Sequence, residues 1–223
     1  MPALNGCGLL GSSTHAITAP AKSYTVTSPV AAVVINGGAG MITVTGSSRT
    51  TIAVTEHPSY SNDAKPPVTS HSVATTMYGT TLTLSYSCPT QLNCGVGYTV
   101  AVPRGVTVRV SDREGAIVLA SLAGPVSATT IAGAITATAL GSRAAELSSR
   151  AGSIIAAFTA VPDSVRATAN AGEVRLTLPR AAVYKVGART RVGHTTISVR
   201  QGATANSVIT ASTDIGNVTI NPA

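Results

Sequence analysis

Six glycines, Gly115, Gly133, Gly152, Gly172, Gly193 and Gly216, recur at intervals of 18, 19, 20, 21 and 23 residues. A period that short restricts the chain to small stacked units, because one unit cannot bury a hydrophobic face alone. Two residues after the glycines stand Ile117, Ile135, Ile154, Val174, Thr195 and Val218, and four after stand Leu119, Ala137, Ala156, Leu176, Ile197 and Ile220. Five before stand Val110, Ala128, Leu147, Ala167, Ala188 and Ala211, and seven before stand Val108, Val126, Ala145, Val165, Val186 and Ile209. Each unit therefore reads as two short strands of period two, joined by a turn whose glycine takes the positive φ that other residues resist. Stacked in register, the four apolar columns make one continuous narrow core, an all-β architecture of the β-solenoid kind with about seven rungs. The stretch VVINGGAGMITV is an earlier copy, with Val33 and Ile35 before Gly40 and Ile42 and Val44 after it.

A core of that shape explains an otherwise odd residue usage. The chain has no Trp and one Phe among 223 residues, although a sandwich of this length ordinarily uses several rings as plugs between its sheets. Only 10% of residues are charged, so Thr, Ser and Gly cover much of the surface. The uncharged run from Gly115 to Ser142 is long enough for a membrane helix. It contains Pro125 and follows the same glycine period as its charged neighbours, which favours strands.

The segment between Val44 and Val108 breaks the repeat with the loop HPSYSNDAKPP and holds three cysteine-flanked or alternating runs, TIAVTE, TTLTLSYS and GYTVAVP. Cys88 and Cys94 bracket PTQLN between two of them, which reads as a β-hairpin whose strand ends can carry a disulfide. Closing so short a loop contributes about 2 kcal/mol in the chain-entropy account. The alternative is a pair of reduced thiols. A zinc site would need two further ligands at matching spacing, and His15, His57, His71 and His194 are scattered. A disulfide implies an oxidising, extracytoplasmic compartment. The division that follows is a tether over residues 1–23, an N-terminal β portion over 24–105, and the repeats over 106–223.

Cys7 is left over. Leu4 at minus three and Gly6 at minus one resemble a bacterial lipoprotein signal in which the cysteine is lipidated, with Asn5 a less usual occupant between them. Only three residues precede Leu4, so the apolar leader is expected to extend upstream of Met1. Together with the apolar-x-apolar, turn, Gly-x-Ile/Val-x-apolar units and a cysteine pair ahead of a YTVAVP strand, the chain from roughly residue 24 to 220 resembles a bacterial family of unknown function. Its members are labelled adhesins with β-strand repeats and are common in actinobacteria and other Gram-positives. That family often carries Asp or Ser after the turn glycine, whereas here the place is held by Ala116, Ala134, Ser153, Glu173, His194 and Asn217. The resemblance implies a non-enzymatic cell-surface lipoprotein, anchored to the membrane by lipid, with an adhesive or structural role. Its alternative is an extracytoplasmic ligand-binding or sensory accessory lipoprotein.

Charge points to the kind of partner. Residues 101 to 200 hold twelve Arg or Lys against five acids, 12 − 5 = +7, which equals the formal net charge of the whole chain. The cations are dispersed, with no basic run and hardly any aromatic interleaving, so nucleic acid is not the expected partner. An anionic envelope polymer or a protein is. Two residues before the glycines stand Arg113, Ile131, Arg150, Asn170, Arg191 and Asp214. Stacked in sequence order, Arg113, Arg150 and Arg191 fall on alternate rungs, a candidate binding face with about 10 Å between charges.

Catalytic signatures are missing where they would be expected. There is no Gly-x-Ser-x-Gly elbow; INGGAG lacks the lysine of a P-loop and opens a strand; and the eight acids suggest no paired carboxylates for glycoside hydrolysis. Glu56 beside His57 reads as a solvated pair next to the polar loop, and His194 as a solvent-facing turn residue. No enzyme, cofactor or metal is expected.

Overall fold

The computed structural model describes residues 16–77, 79–90 and 93–223. Among them every regular element is a strand. The N-terminal portion contains β1 (Ala16–Thr18), β2 (Lys22–Val26), β3 (Ala32–Asn36), β4 (Ile42–Ser47), β5 (Ile52–Ser61), β6 (Val68–Thr76), β7 (Gly79–Ser87) and β8 (Cys94–Pro103). The repeats follow as β9 (Thr107–Glu114), β10 (Ile117–Ala120), β11 (Val126–Ala132), β12 (Ile135–Leu140), β13 (Ala144–Ala151) and β14 (Ile154–Phe158). The remaining strands are β15 (Ser164–Ala171), β16 (Val174–Leu178), β17 (Tyr184–Val192), β18 (Thr195–Ile197), β19 (Ser207–Ile215) and β20 (Val218–Pro222). They form two mixed sheets, one of eleven strands and one of nine, and neither closes into a barrel.

Each repeat sends its first strand to the nine-stranded sheet and its second to the eleven-stranded one, with the glycine at the corner between them. Like positions pair in parallel: Val33 with Val108, then Val126, Ala145, Val165 and Ile209 along one sheet. Ile42 pairs with Ile117, then Ile135, Ile154, Val174 and Val218 along the other. None of these residues is more than 5% exposed, so the core is the space between the two inner faces. The columns read from the sequence are the columns that pack.

The corner glycines meet two demands at once. Gly40, Gly115, Gly133, Gly152, Gly172, Gly193 and Gly216 all have φ between +131° and +156°. A Cβ on Gly133, Gly152 or Gly172 would also overlap the carbonyl of the glycine one unit away, Gly115, Gly133 and Gly152 respectively. Their carbonyls are satisfied from inside the stack by side chains that sequence reading passed over. Ser149 Oγ donates to the Gly133 carbonyl at 3.0 Å, Thr213 Oγ1 to Gly172 at 2.9 Å and Thr190 Oγ1 to Gly216 at 2.8 Å. In these three units the hydroxyl three residues before the glycine thus reaches the neighbouring turn, whereas Asp112, Thr130 and Ala169 hold the same place in the Gly115, Gly133 and Gly172 units.

Two expectations are corrected. First, the spatial order of the units is not their order in sequence. The Gly216 unit, β19 and β20, lies between the Gly172 and Gly193 units, so β17 and β18 are the outermost strands. At the other end the Gly40 unit lies directly against the Gly115 unit, and β7 and β8 stack beyond it rather than between them. Second, Cys88 and Cys94 do not sit on a hairpin. Strand β7 pairs with β3 and β6 in one sheet, and β8 with β4 and β5 in the other. Their bond, with Cα atoms 5.9 Å apart, ties a crossover between sheets. Parallel stacking on β3 and β4 outcompetes the local antiparallel pairing because it buries Leu82, Leu84, Tyr98 and Val100 on the inner faces.

Candidate functional site

The crossover shapes a concavity. A cleft of about 630 Å³ opens beside the Cys88–Cys94 bond, floored by the backbone of Gly38 to Gly40 and walled by Tyr60 and Tyr86, with Arg113 and Glu114 at its rim. Gly38 in that floor has a steric reason: a Cβ there would overlap the Tyr86 hydroxyl. That hydroxyl accepts the Ala39 N–H at 2.6 Å, which fixes both the ring and the turn. The cleft draws polar, aromatic and charged groups from the segment that breaks the repeat and from the first repeat unit.

Strands β2, β5 and β8 bring together a polar cluster. Glu56, 2% exposed, accepts a hydrogen bond from the Tyr24 hydroxyl at 3.0 Å, and its strand neighbour Tyr98 is equally buried. Glu56 is therefore no solvated partner of His57. The alternation of β5 turns Glu56 inward and His57 outward, where its Nε2 lies 3.2 Å from Thr99 Oγ1. Tyr24 stacks on His71 at 4.5 Å between ring centroids, which closes the end of the core. Burial pushes the Tyr24 and Tyr98 phenols up, and the Glu56 carboxyl adds to both.

Asp112 occupies the inner hydroxyl column. Its Oδ1 accepts the Arg113 N–H at 2.9 Å, while Oδ2 is buried with no hydrogen-bond partner. Burial raises its pKa, the Arg113 N–H opposes the rise, and Glu114 adds to it. A raised folded-state value means that the native chain holds this proton more tightly than the unfolded chain. Ionisation of Asp112 thus costs stability as pH rises from the ordinary carboxylate value through the folded one. Asp112→Asn, neutral and able to donate as its serine and threonine counterparts do, is expected to raise Tm at pH 7 by a few degrees. The gain should shrink towards pH 3.5. Calorimetry at the two pH values checks this, and a gain of equal size at both contradicts the assignment.

The three arginines are not brought together as the sequence order implied. In spatial order the positions two before the glycines run Arg113, Ile131, Arg150, Asn170, Asp214 and Arg191, given the unit order above. Arg113 and Arg150 stand two strands apart, but Arg191 lies three strands beyond Arg150, on the outermost strand. It is also paired with Asp214 at 3.6 Å. The alternate spacing is therefore broken by the exchange of the last two units. His194 is exposed at the corner, its N–H bonded to Asn217 Oδ1 at 2.9 Å. Cys7 lies outside the described residues.

Among the described residues no group of three or more His, Cys, Asp or Glu is placed to hold a metal ion, and no helix is long and apolar enough to cross a membrane.

No protein-family model and no curated protein matches the chain. Solved structures similar to it include two bacterial proteins. A putative cell adhesion protein from Clostridium sporogenes superposes over 92% of this chain and 100% of its own, with a TM-score of 0.55 and 11% identity. A putative adhesin from Bacteroides fragilis covers 92% of this chain and 97% of its own, with a TM-score of 0.45 and 15% identity. At 11% identity the first likeness is one of fold.

Proposed function

We propose that the chain is a non-enzymatic module of the bacterial cell envelope, an adhesin-like β-solenoid of about seven rungs, held at the membrane surface by a lipid on Cys7. The single observation that carries the reading is the in-register stacking of the repeats, which turns each outward position into a ladder of side chains on a broad sheet. Such a surface suits an extended partner better than a small molecule. The name of the Clostridium sporogenes structure points the same way, and the Cys88–Cys94 bond fits an oxidising compartment.

Two measurements test it. Mass spectrometry of the protein from its native host should find Cys7 as an acylated first residue; an intact, unacylated peptide from Met1 to Cys7 removes the anchor from the proposal. The purified chain should sediment with isolated cell envelopes at physiological salt, and recovery wholly in the supernatant overturns the adhesive role.

The second reading is an extracytoplasmic ligand-binding or sensory accessory lipoprotein. The cleft beside Tyr60, Tyr86 and Arg113 favours it, because that cleft lies in the segment that departs from the repeat.

A further inference from the structure

The cations of this chain are sorted between its two faces. Seven lie on strands of the nine-stranded sheet, namely Arg109, Arg113, Arg150, Arg166, Lys185, Arg189 and Arg191, and all are exposed. Strands of the eleven-stranded sheet carry two, Lys22 and Arg175, and Arg175 is paired with Glu173 at 2.7 Å. The eleven-stranded sheet instead shows solvent a ladder that runs Thr55, Thr99, Thr43, Val118, Thr136 and Ile155. Such sorting is not needed for solubility, which any scatter of charge would serve.

Within the charged face the arginines follow the register. Arg109 and Arg166 belong to one column, with Ser127 and Glu146 between them. Arg113 and Arg150 flank Ile131 on another column, four residues further along the strands. Among the described residues none of these four arginines is in an ion pair. Between the two columns runs an outward ladder of small polar groups, Ser111, Thr129, Ser148, Thr168 and Ser212. With strands about 4.8 Å apart and residues about 3.3 Å apart, Arg113 and Arg150 are about 10 Å apart and Arg109 and Arg166 about 14 Å. The two columns stand about 13 Å from each other. A groove of about 520 Å³ follows the first column, with Arg109, Ser127, Glu146, Arg166 and Thr210 on its walls.

We infer that this face is a track for a linear anionic glycopolymer, lying across the strands along the hydroxyl ladder with its charged groups reaching the arginines on either side. Hydroxyl ladders exchange hydrogen bonds with sugar hydroxyls, and guanidinium forks take carboxylate or phosphate in bidentate contacts. Nucleic acid fits less well, because no aromatic side chain stands among the outward residues of β9, β11, β13, β15 and β19 to stack a base. The inference rests on the envelope-module reading and gives it a ligand class and a place. It also replaces the line of Arg113, Arg150 and Arg191 with the four unpaired arginines Arg109, Arg113, Arg150 and Arg166.

The test compares two quartets that remove equal charge. One variant carries Arg109→Gln, Arg113→Gln, Arg150→Gln and Arg166→Gln. The other carries Lys22→Gln, Arg49→Gln, Lys65→Gln and Arg104→Gln, all exposed and off the track. Binding is measured by calorimetry to polygalacturonate, a carboxylate polymer, to poly(glycerol phosphate), a phosphodiester polymer, and to neutral dextran, at low and at physiological salt. The track quartet should weaken binding to at least one polyanion tenfold or more and flatten its salt dependence; the second quartet should change it less than threefold. Glu146→Gln should tighten binding. Which polyanion binds more tightly identifies the source of the charge. Equal loss in both quartets, a track variant that keeps its Tm and its affinity, or tighter binding to a DNA oligonucleotide than to either polymer overturns the inference. Sedimentation of the parent with envelopes but no affinity for either polyanion overturns the track and leaves the envelope module standing.

Discussion

Ile154→Asp is expected to lower the melting temperature of the chain by about ten degrees or more. Ile154 has no exposed surface and lies between Ile135 and Val174 in the parallel ladder. Its neighbours in the column are apolar on both sides, so the carboxylate would find neither a partner nor water. The loss combines the transfer energy of the isoleucine with the cost of an unpaired buried charge, about 4 kcal/mol or more, a large share of the stability of an ordinary domain. Circular dichroism against temperature provides the check. A variant that melts within a degree or two of the parent would mean that the side chain faces solvent and that the register is wrong.

Gly152→Ala should be nearly as damaging although it adds one methyl group. The φ of Gly152 is +149°, where an L side chain is strained, and the added Cβ would fall on the Gly133 carbonyl. That carbonyl is held in place as an acceptor for Ser149 Oγ. The obstacle is thus backbone, which cannot swing aside as a side-chain tip can. Strain and overlap together are expected to cost about 3 kcal/mol. Gly187→Ala is the internal control, because that glycine has open space around its Cα and no positive φ. Urea denaturation of both variants distinguishes them, and equal midpoints would show that the corner column is tolerant.

Much of this was legible because a period is a local property. Val126, Ala128, Ile135 and Ala137 each declare an inward position by their spacing from Gly133, and the parallel register follows when all units declare the same spacing. The order of the units was not legible, since identical faces fit one another in any sequence. One residue did carry the signal. Thr195 stands where every other unit has Ile or Val, and it is exposed because its unit is the outermost one. A polar residue in an apolar column marks the end of a stack. The cleft was hidden for a different reason. The Cys88 to Cys94 stretch looked like a hairpin because short loops usually are, and only the burial of Leu82, Leu84, Tyr98 and Val100 between sheets decides otherwise. Asp112 and Glu56 were opaque because a charged residue in an alternating strand gives no warning of which face it takes.

The exchange of the last two units constrains how the molecule can be made. A ribosome delivers β17 and β18 before β19 and β20, so the earlier pair cannot yet take its native place. Their place is on the Gly216 unit, which does not yet exist, while the open ends of β15 and β16 await that same unit. Growth of the stack in its native order by simple addition is therefore interrupted after β16. The strands from Tyr184 to Ile197 reach that place only once Ser207 to Pro222 lies between them and the body, so this end of the assembly closes only after synthesis or translocation has passed it. The same holds for the Gly40 unit, whose neighbour Gly115 is made 75 residues later, 115 − 40 = 75. A chain that crosses a membrane before folding meets this requirement naturally, because none of its strands can settle until all of them are present.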